Sequence, residues 1–80
     1  MARNFSTVIH FEQRKLSAVF VPVMKPDGLH YEVNVQGFPR FFVAWSALGR
    51  YDIIQDEETT PFIPYELILI VSDLLEKRTR

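Results

Sequence analysis

The chain has no cysteine. Neither a disulfide framework nor a thiolate zinc site can staple it, so a chain of 80 residues must be held by packing or by association. Glycine is scarce too. Gly28, Gly37 and Gly49 are too dispersed to build a phosphate-cradling loop, and the chain carries no G-x-S-x-G elbow, no H-E-x-x-H and no calcium-loop spacing. Long hydrophobic runs are also missing. The longest, residues 67–71, falls far short of the ~20 residues of a membrane-spanning helix. Residues 1–5 lead into Ser6, Thr7 and His10 without the apolar core of a secretory signal. Charge of one sign is lacking: nine basic and ten acidic side chains leave a net charge of −1, with no general attraction to phosphate backbones or anionic lipid. The expectation is a soluble cytoplasmic protein with no membrane contact, no bound cofactor and no affinity for nucleic acid. No Ser/Gly-rich or Pro-rich linker divides residues 1–80, which are read as one domain.

What is present is apolar and aromatic. The hydrophobic fraction is 48%, with seven Phe, three Tyr and one Trp, a composition that packs rather than one that stays disordered. Residues 5–11 alternate, with Phe5, Thr7, Ile9 and Phe11 on one face and Ser6, Val8 and His10 on the other, which predicts a strand. The polar quartet Glu12, Gln13, Arg14 and Lys15 suits a turn. Residues 16–24 are then apolar on both faces and rich in valine, the mark of a central strand, although Pro22 must sit at an edge or a bulge because it cannot donate to a ladder. Lys25-Pro26-Asp27-Gly28 is the clearest hairpin signal in the chain. Beyond it Leu29, Tyr31, Val33 and Val35 alternate with His30, Glu32, Asn34 and Gln36. A fourth strand is expected over 40–46, with Phe41, Val43 and Trp45 opposite Phe42 and Ala44, and a short fifth over 50–55.

After the acidic stretch Asp56, Glu57, Glu58, Thr59 and Thr60, Pro61 and Pro64 bar a helix from running through both, so a helix is expected to start at Pro64. Glu66 suits the positive end of its dipole, and Lys77, Arg78 and Arg80 suit the negative end. Leu67, Ile68, Val71, Leu74 and Leu75 form one stripe and must cover the sheet. The fold class is therefore α+β: a mostly meandering antiparallel sheet of about five short strands with one C-terminal amphipathic helix packed on it.

Several side-chain groupings invite a chemical reading. The triplets His10-Phe11-Glu12 and His30-Tyr31-Glu32 each place a His and a Glu on one face of a strand, but a meander separates the first and third strands by about 10 Å. Solvated polar faces explain them better, and no metal site is expected. Phe38, Arg40, Phe42 and Trp45 put aromatics beside a base, as on a sheet that stacks nucleobases or a small ligand. With Arg40 as the only base in that stretch, the phosphate-binding half is missing, and this is the alternative reading. Asp52, Asp56, Glu57 and Glu58 lack the spacing of a calcium loop. Ser17, Ser46 and Ser72 have no histidine placed locally as a base, so no enzymatic constellation is recognised.

The remaining signal is apolar surface that one chain has difficulty burying. Val19, Val21 and Val23 oppose Ala18 and Phe20, while a single helix covers only one face of a sheet. Leu69 lies about 300° round the helical wheel from Glu66, between Asp73 and Glu76, and points outward. Together with Phe42 these residues mark a candidate interface, and the expected function is a non-enzymatic interaction or structural module that forms a homodimer or binds a protein partner. The competing possibility is a strongly curled, barrel-like sheet that buries both sets of side chains itself.

Overall fold

The computed structural model describes residues 3–54 and 62–79; Gln55, the acidic stretch 56–60, Pro61 and Arg80 lie outside the described residues. Five strands, β1 (Phe5–Phe11), β2 (Arg14–Lys25), β3 (Gly28–Val35), β4 (Phe41–Trp45) and β5 (Tyr51–Ile53), precede one helix, α1 (Tyr65–Thr79). The strands pair antiparallel in chain order, β1-β2-β3-β4-β5, so the sheet is an open meander with β1 and β5 at its two ends. The architecture is α+β. The sheet is open, since β1 and β5 do not pair with each other.

Strict alternation decides which side chains are buried. Phe5, Ile9 and Phe11 of β1 line up with Ala18 and Phe20 of β2, Tyr31, Val33 and Val35 of β3, and Phe41 and Val43 of β4, all on one face. Onto that face α1 lays Leu67, Ile68, Val71 and Leu75, and Ile63 joins them from the approach to the helix. Ring contacts fill the layer: Phe5 stacks on Phe20 with centroids 4.7 Å apart, and Phe11 meets Phe38 edge-on at 5.8 Å. The helix is about 22 Å long, and its middle is tied to β5 as well, Ser72 Oγ accepting from Tyr51 N at 2.9 Å. Its first turn lies by β5, where the Arg50 guanidinium sits 5.4 Å from the Tyr65 ring, and its last turn lies by β1, where Arg78 sits 3.9 Å over Phe5.

The helix begins one residue later than its sequence suggests. Pro64 is the cap rather than the first helical residue, its carbonyl accepting from Leu67 N at 3.0 Å and Ile68 N at 3.2 Å. Pro22 sits where its chemistry permits. Gln36 N donates to Ser17 O, so odd-numbered backbone groups of β2 turn toward β3 and even-numbered ones, Pro22 included, turn toward β1. By then β1 has ended, at the pair Phe5 and Phe20. The missing N–H therefore faces an unpaired edge, and β2 is an interior strand in its first half and an edge in its second.

The expected four-residue turn at 12–15 is shorter than it reads. Only Glu12 and Gln13 form it, with φ of 50° and 64°, while Arg14 already pairs with Phe11. A two-residue hairpin turn of this kind needs positive φ at both positions, and an ordinary L-residue there costs roughly 1–2 kcal/mol. Strands β4 and β5 are likewise shorter than the expected 40–46 and 50–55. Glu12→Asn with Gln13→Gly should raise stability by about 1 kcal/mol, which thermal unfolding would register as an increase of about 4–8 °C. Val71→Asp, at a fully buried position under the sheet, should cost more than about 4 kcal/mol and abolish a cooperative melting transition.

Candidate functional site

Because α1 occupies one face, the side chains that alternate away from it are left on the other. Register sets them in rows across the strands. Val19 stands between Ser6 and Asn34; Val21, Glu32 and Phe42 form the next row; Val23, His30, Ala44 and Asp52 form the third. Down the strands the same residues make columns: three valines on β2, a polar column of His30, Glu32 and Asn34 on β3, and Phe42 with Ala44 on β4. The face is apolar at the β2 valines and at Phe42 and Ala44 of β4, and polar along β3 and at the outer strands, where Ser6 and His10 of β1 and Asp52 of β5 stand.

Short-range contacts tie the polar column together. Asn34 Nδ2 donates to Glu32 Oε2 at 3.0 Å, and Arg40 Nη1 approaches Glu32 Oε1 at 3.7 Å. The same guanidinium lies 5.9 Å from the centre of the Phe42 ring, so Arg40 bridges the polar column and the aromatic one. His30 Nε2 reaches Asp27 Oδ1 at 3.1 Å, and Arg50 Nε donates to Asp52 Oδ2 at 3.2 Å. Ser46 Oγ donates to Arg50 O at 3.0 Å and closes the β4–β5 hairpin.

Of the five candidate interface residues, the structure brings together Val19, Val21, Val23 and Phe42. Val19 is 42% exposed, and the other three are half-buried by their in-plane neighbours. Leu69 points outward from α1 at 38% exposure, but on the opposite side of the molecule. It cannot share a contact with them, because the whole thickness of the helix and sheet lies between. Val8, 53% exposed, belongs to the same open face and was not singled out from the sequence. Its neighbours Ser6 and His10 are polar, so no apolar pattern marks it.

The candidate ligand surface divides in the same way. Arg40 and Phe42 lie on the open face, whereas Trp45 and Phe38 lie on the helix side, Trp45 edge-on to Tyr51 at 5.2 Å and Phe38 against Phe11. Residues 38, 40, 42 and 45 do not share one face, since alternation reverses between 42 and 45. His10 and His30 are parted further than a meander alone requires. They stand opposite Lys15 and Val23 of β2, eight residues or about 26 Å apart along that strand. Among the described residues no group of three or more His, Asp or Glu side chains is placed to hold an ion.

Ser72, Tyr31 and Tyr51 are buried. Ser72, buried in α1, accepts a hydrogen bond from Tyr51 N at 2.9 Å and so pins β5 to the helix. Burial raises the pKa of the Tyr31 hydroxyl, neighbouring Tyr51 adds to the rise, and Arg78 opposes it. That direction is away from the neutral range in which proton transfer works best. The chain matches no family model, no curated protein and no solved structure. No helix among the described residues is long and apolar enough to cross a membrane.

Ser72→Ala should leave the Tyr51 N–H buried without a partner and cost about 1–3 kcal/mol. A lower denaturant midpoint, with faster hydrogen exchange at the Tyr51 amide, would register it.

Proposed function

We propose that the chain is a non-enzymatic interaction module whose working surface is the open face of its sheet, where it pairs with a second copy or docks a partner protein. One observation carries the reading: Val19, Val21, Val23 and Phe42 share a sheet face that no described part of the chain covers. Apolar side chains left on such a face gain by leaving water, at about 25 cal/mol for each Å² removed. The polar column between them matches the mixed composition of surfaces that associate reversibly. A twofold contact doubles the effect of each residue, because the same patch enters from both sides.

Sedimentation equilibrium at micromolar concentration tests this. The wild type should self-associate, and Phe42→Glu should weaken the association by about tenfold or more, at least ~1.4 kcal/mol, with an unchanged melting temperature. Leu69→Glu, on the far side of the molecule, should leave association as it is. A wild type that stays monomeric, or an association indifferent to Phe42→Glu, would sink the open face as the self-contact.

A further inference from the structure

An aspartate that precedes glycine carries a latent reaction, because glycine has no side chain to keep its own nitrogen away from the neighbouring carboxyl carbon. Asp27 is the one aspartate so placed: Asp52, Asp56 and Asp73 precede Ile53, Glu57 and Leu74. The fold sets this pair at the tip of the β2–β3 hairpin. Lys25 pairs with Gly28, so Pro26 and Asp27 alone make the turn, and such a tip opens locally more readily than the core. The Asp27 side chain is 76% exposed. Gly28 has a φ of 128°, and nothing lies within 4 Å of the place a Cβ would take, so no neighbouring group crowds its main chain on that side.

What sets this site apart from any exposed Asp-Gly pair is His30. Its Nε2 stands 3.1 Å from Asp27 Oδ1, while its own side chain is only 14% exposed, held in the third row of the open face between Val23 and Ala44. A fixed imidazole therefore addresses an exposed carboxylate. In its protonated form it is placed to hand a proton to the oxygen that has to leave.

We propose that Asp27 is a built-in isomerisation site, at which His30 acts as the general acid that converts the Asp27-Gly28 peptide into an isoaspartyl link. The Gly28 nitrogen attacks Asp27 Cγ, and the new N–Cγ bond closes a cyclic imide. One carboxyl oxygen leaves as water, taking one proton from the Gly28 N–H and one from the His30 imidazolium. Water then adds to the main-chain carbonyl carbon of Asp27 and breaks its bond to the Gly28 nitrogen, which stays on Cγ; the new α-carboxyl returns a proton to His30. The main chain now runs through Cβ and Cγ, one carbon longer, and no longer suits the two-residue turn that sets Lys25 opposite Gly28. The hairpin tip loses its register, and with it the His30 row of the open face. This chemistry does not depend on what that face contacts.

The purified full chain, held at neutral pH and physiological temperature, should accumulate isoaspartate at position 27. Peptide mapping would read it as a product of unchanged mass, and an isoaspartyl methyltransferase would label it from S-adenosylmethionine. Asp27→Glu keeps the carboxylate but enlarges the ring that must close, and should give none. His30→Gln should slow accumulation by about tenfold or more. The direction decides the role, because loss of a merely structural contact would loosen the turn and speed the reaction, whereas loss of a proton donor slows it. In urea, where His30 no longer stands beside Asp27, the two proteins should react alike. Should His30→Gln fail to fold, the wild type decides by itself, since the folded chain should isomerise faster than the same chain in urea. No isoaspartate at position 27, a His30→Gln rate equal to or above that of the wild type, or a folded wild type slower than the unfolded one overturns the proposal.

Discussion

One helix has to serve a sheet with two faces, and most features of the molecule follow from that mismatch. Strand side chains alternate with period two, so a strand placed in a sheet commits half its residues to each side. Here the half facing α1 is almost wholly apolar and buried, from Ile9 and Phe11 on β1 to Val43 on β4. The helix is tied to both ends of the sheet, through Ser72 to Tyr51 of β5 and through Arg78 to Phe5 of β1. The other half has no second layer among the described residues, and its composition is a compromise: valines where β2 runs along the flank, and Glu32, Asn34 and His30 down the middle strand. A small chain without a disulfide cannot spare a second covering element, since each ordered residue costs about 1–2 kcal/mol of backbone entropy before any contact is made.

The unequal lengths of β1 and β2 are the second organising feature. β2 has twelve residues and β1 seven, so β2 projects beyond its neighbour from Val21 onward. Pro22 is tolerated there and would not be in the first half of the strand, where even-numbered groups of β2 face the ladder to β1. The same projection carries Val21 and Val23 to a part of the sheet flanked on one side only. Hence the valine column is both an apolar stripe and a boundary. The edges are treated unequally as well: proline and lysine protect the projecting end of β2, brevity protects β5, and residues of α1 line the space beside β1.

Much of this architecture was legible in the residues. Alternation in 5–11 and 29–36, the Pro-Asp-Gly turn and the paired prolines before the helix each rest on local chemistry, and each element stands within a residue or two of its expected place. Turn lengths were less legible. Glu12 and Gln13 adopt positive φ without being glycine or asparagine, so their conformation is imposed by the register of the strands they join and leaves no mark in composition. Grouping of side chains across the sheet was partly legible. Val19, Val21, Val23 and Phe42 meet because parity is preserved from strand to strand, and parity can be followed in a sequence once the hairpins are known. Leu69 was separated from them by the thickness of the molecule, which helical periodicity alone does not measure. Phe38 fell to the core side because it lies in the connection between β3 and β4, where alternation gives no guidance.

The mixed character of the open face bears on how such a surface works. A face made only of valine and phenylalanine would favour permanent association, as in interfaces that resemble a domain core cut in half. Here Glu32 is already engaged by Asn34 and Arg40, and Arg40 in turn lies over Phe42. Glu32 and Arg40 therefore have partners within the chain, and contact with another surface need not leave them orphaned. Desolvating such a pre-paired cluster still costs free energy, which offsets part of the gain from burying the valines. On the proposed reading of this face, that balance favours a contact that forms and releases. On the same reading, the polar column would do for the open face what Pro22 and Lys25 do for the projecting end of β2: it would restrict contact to surfaces that complement it.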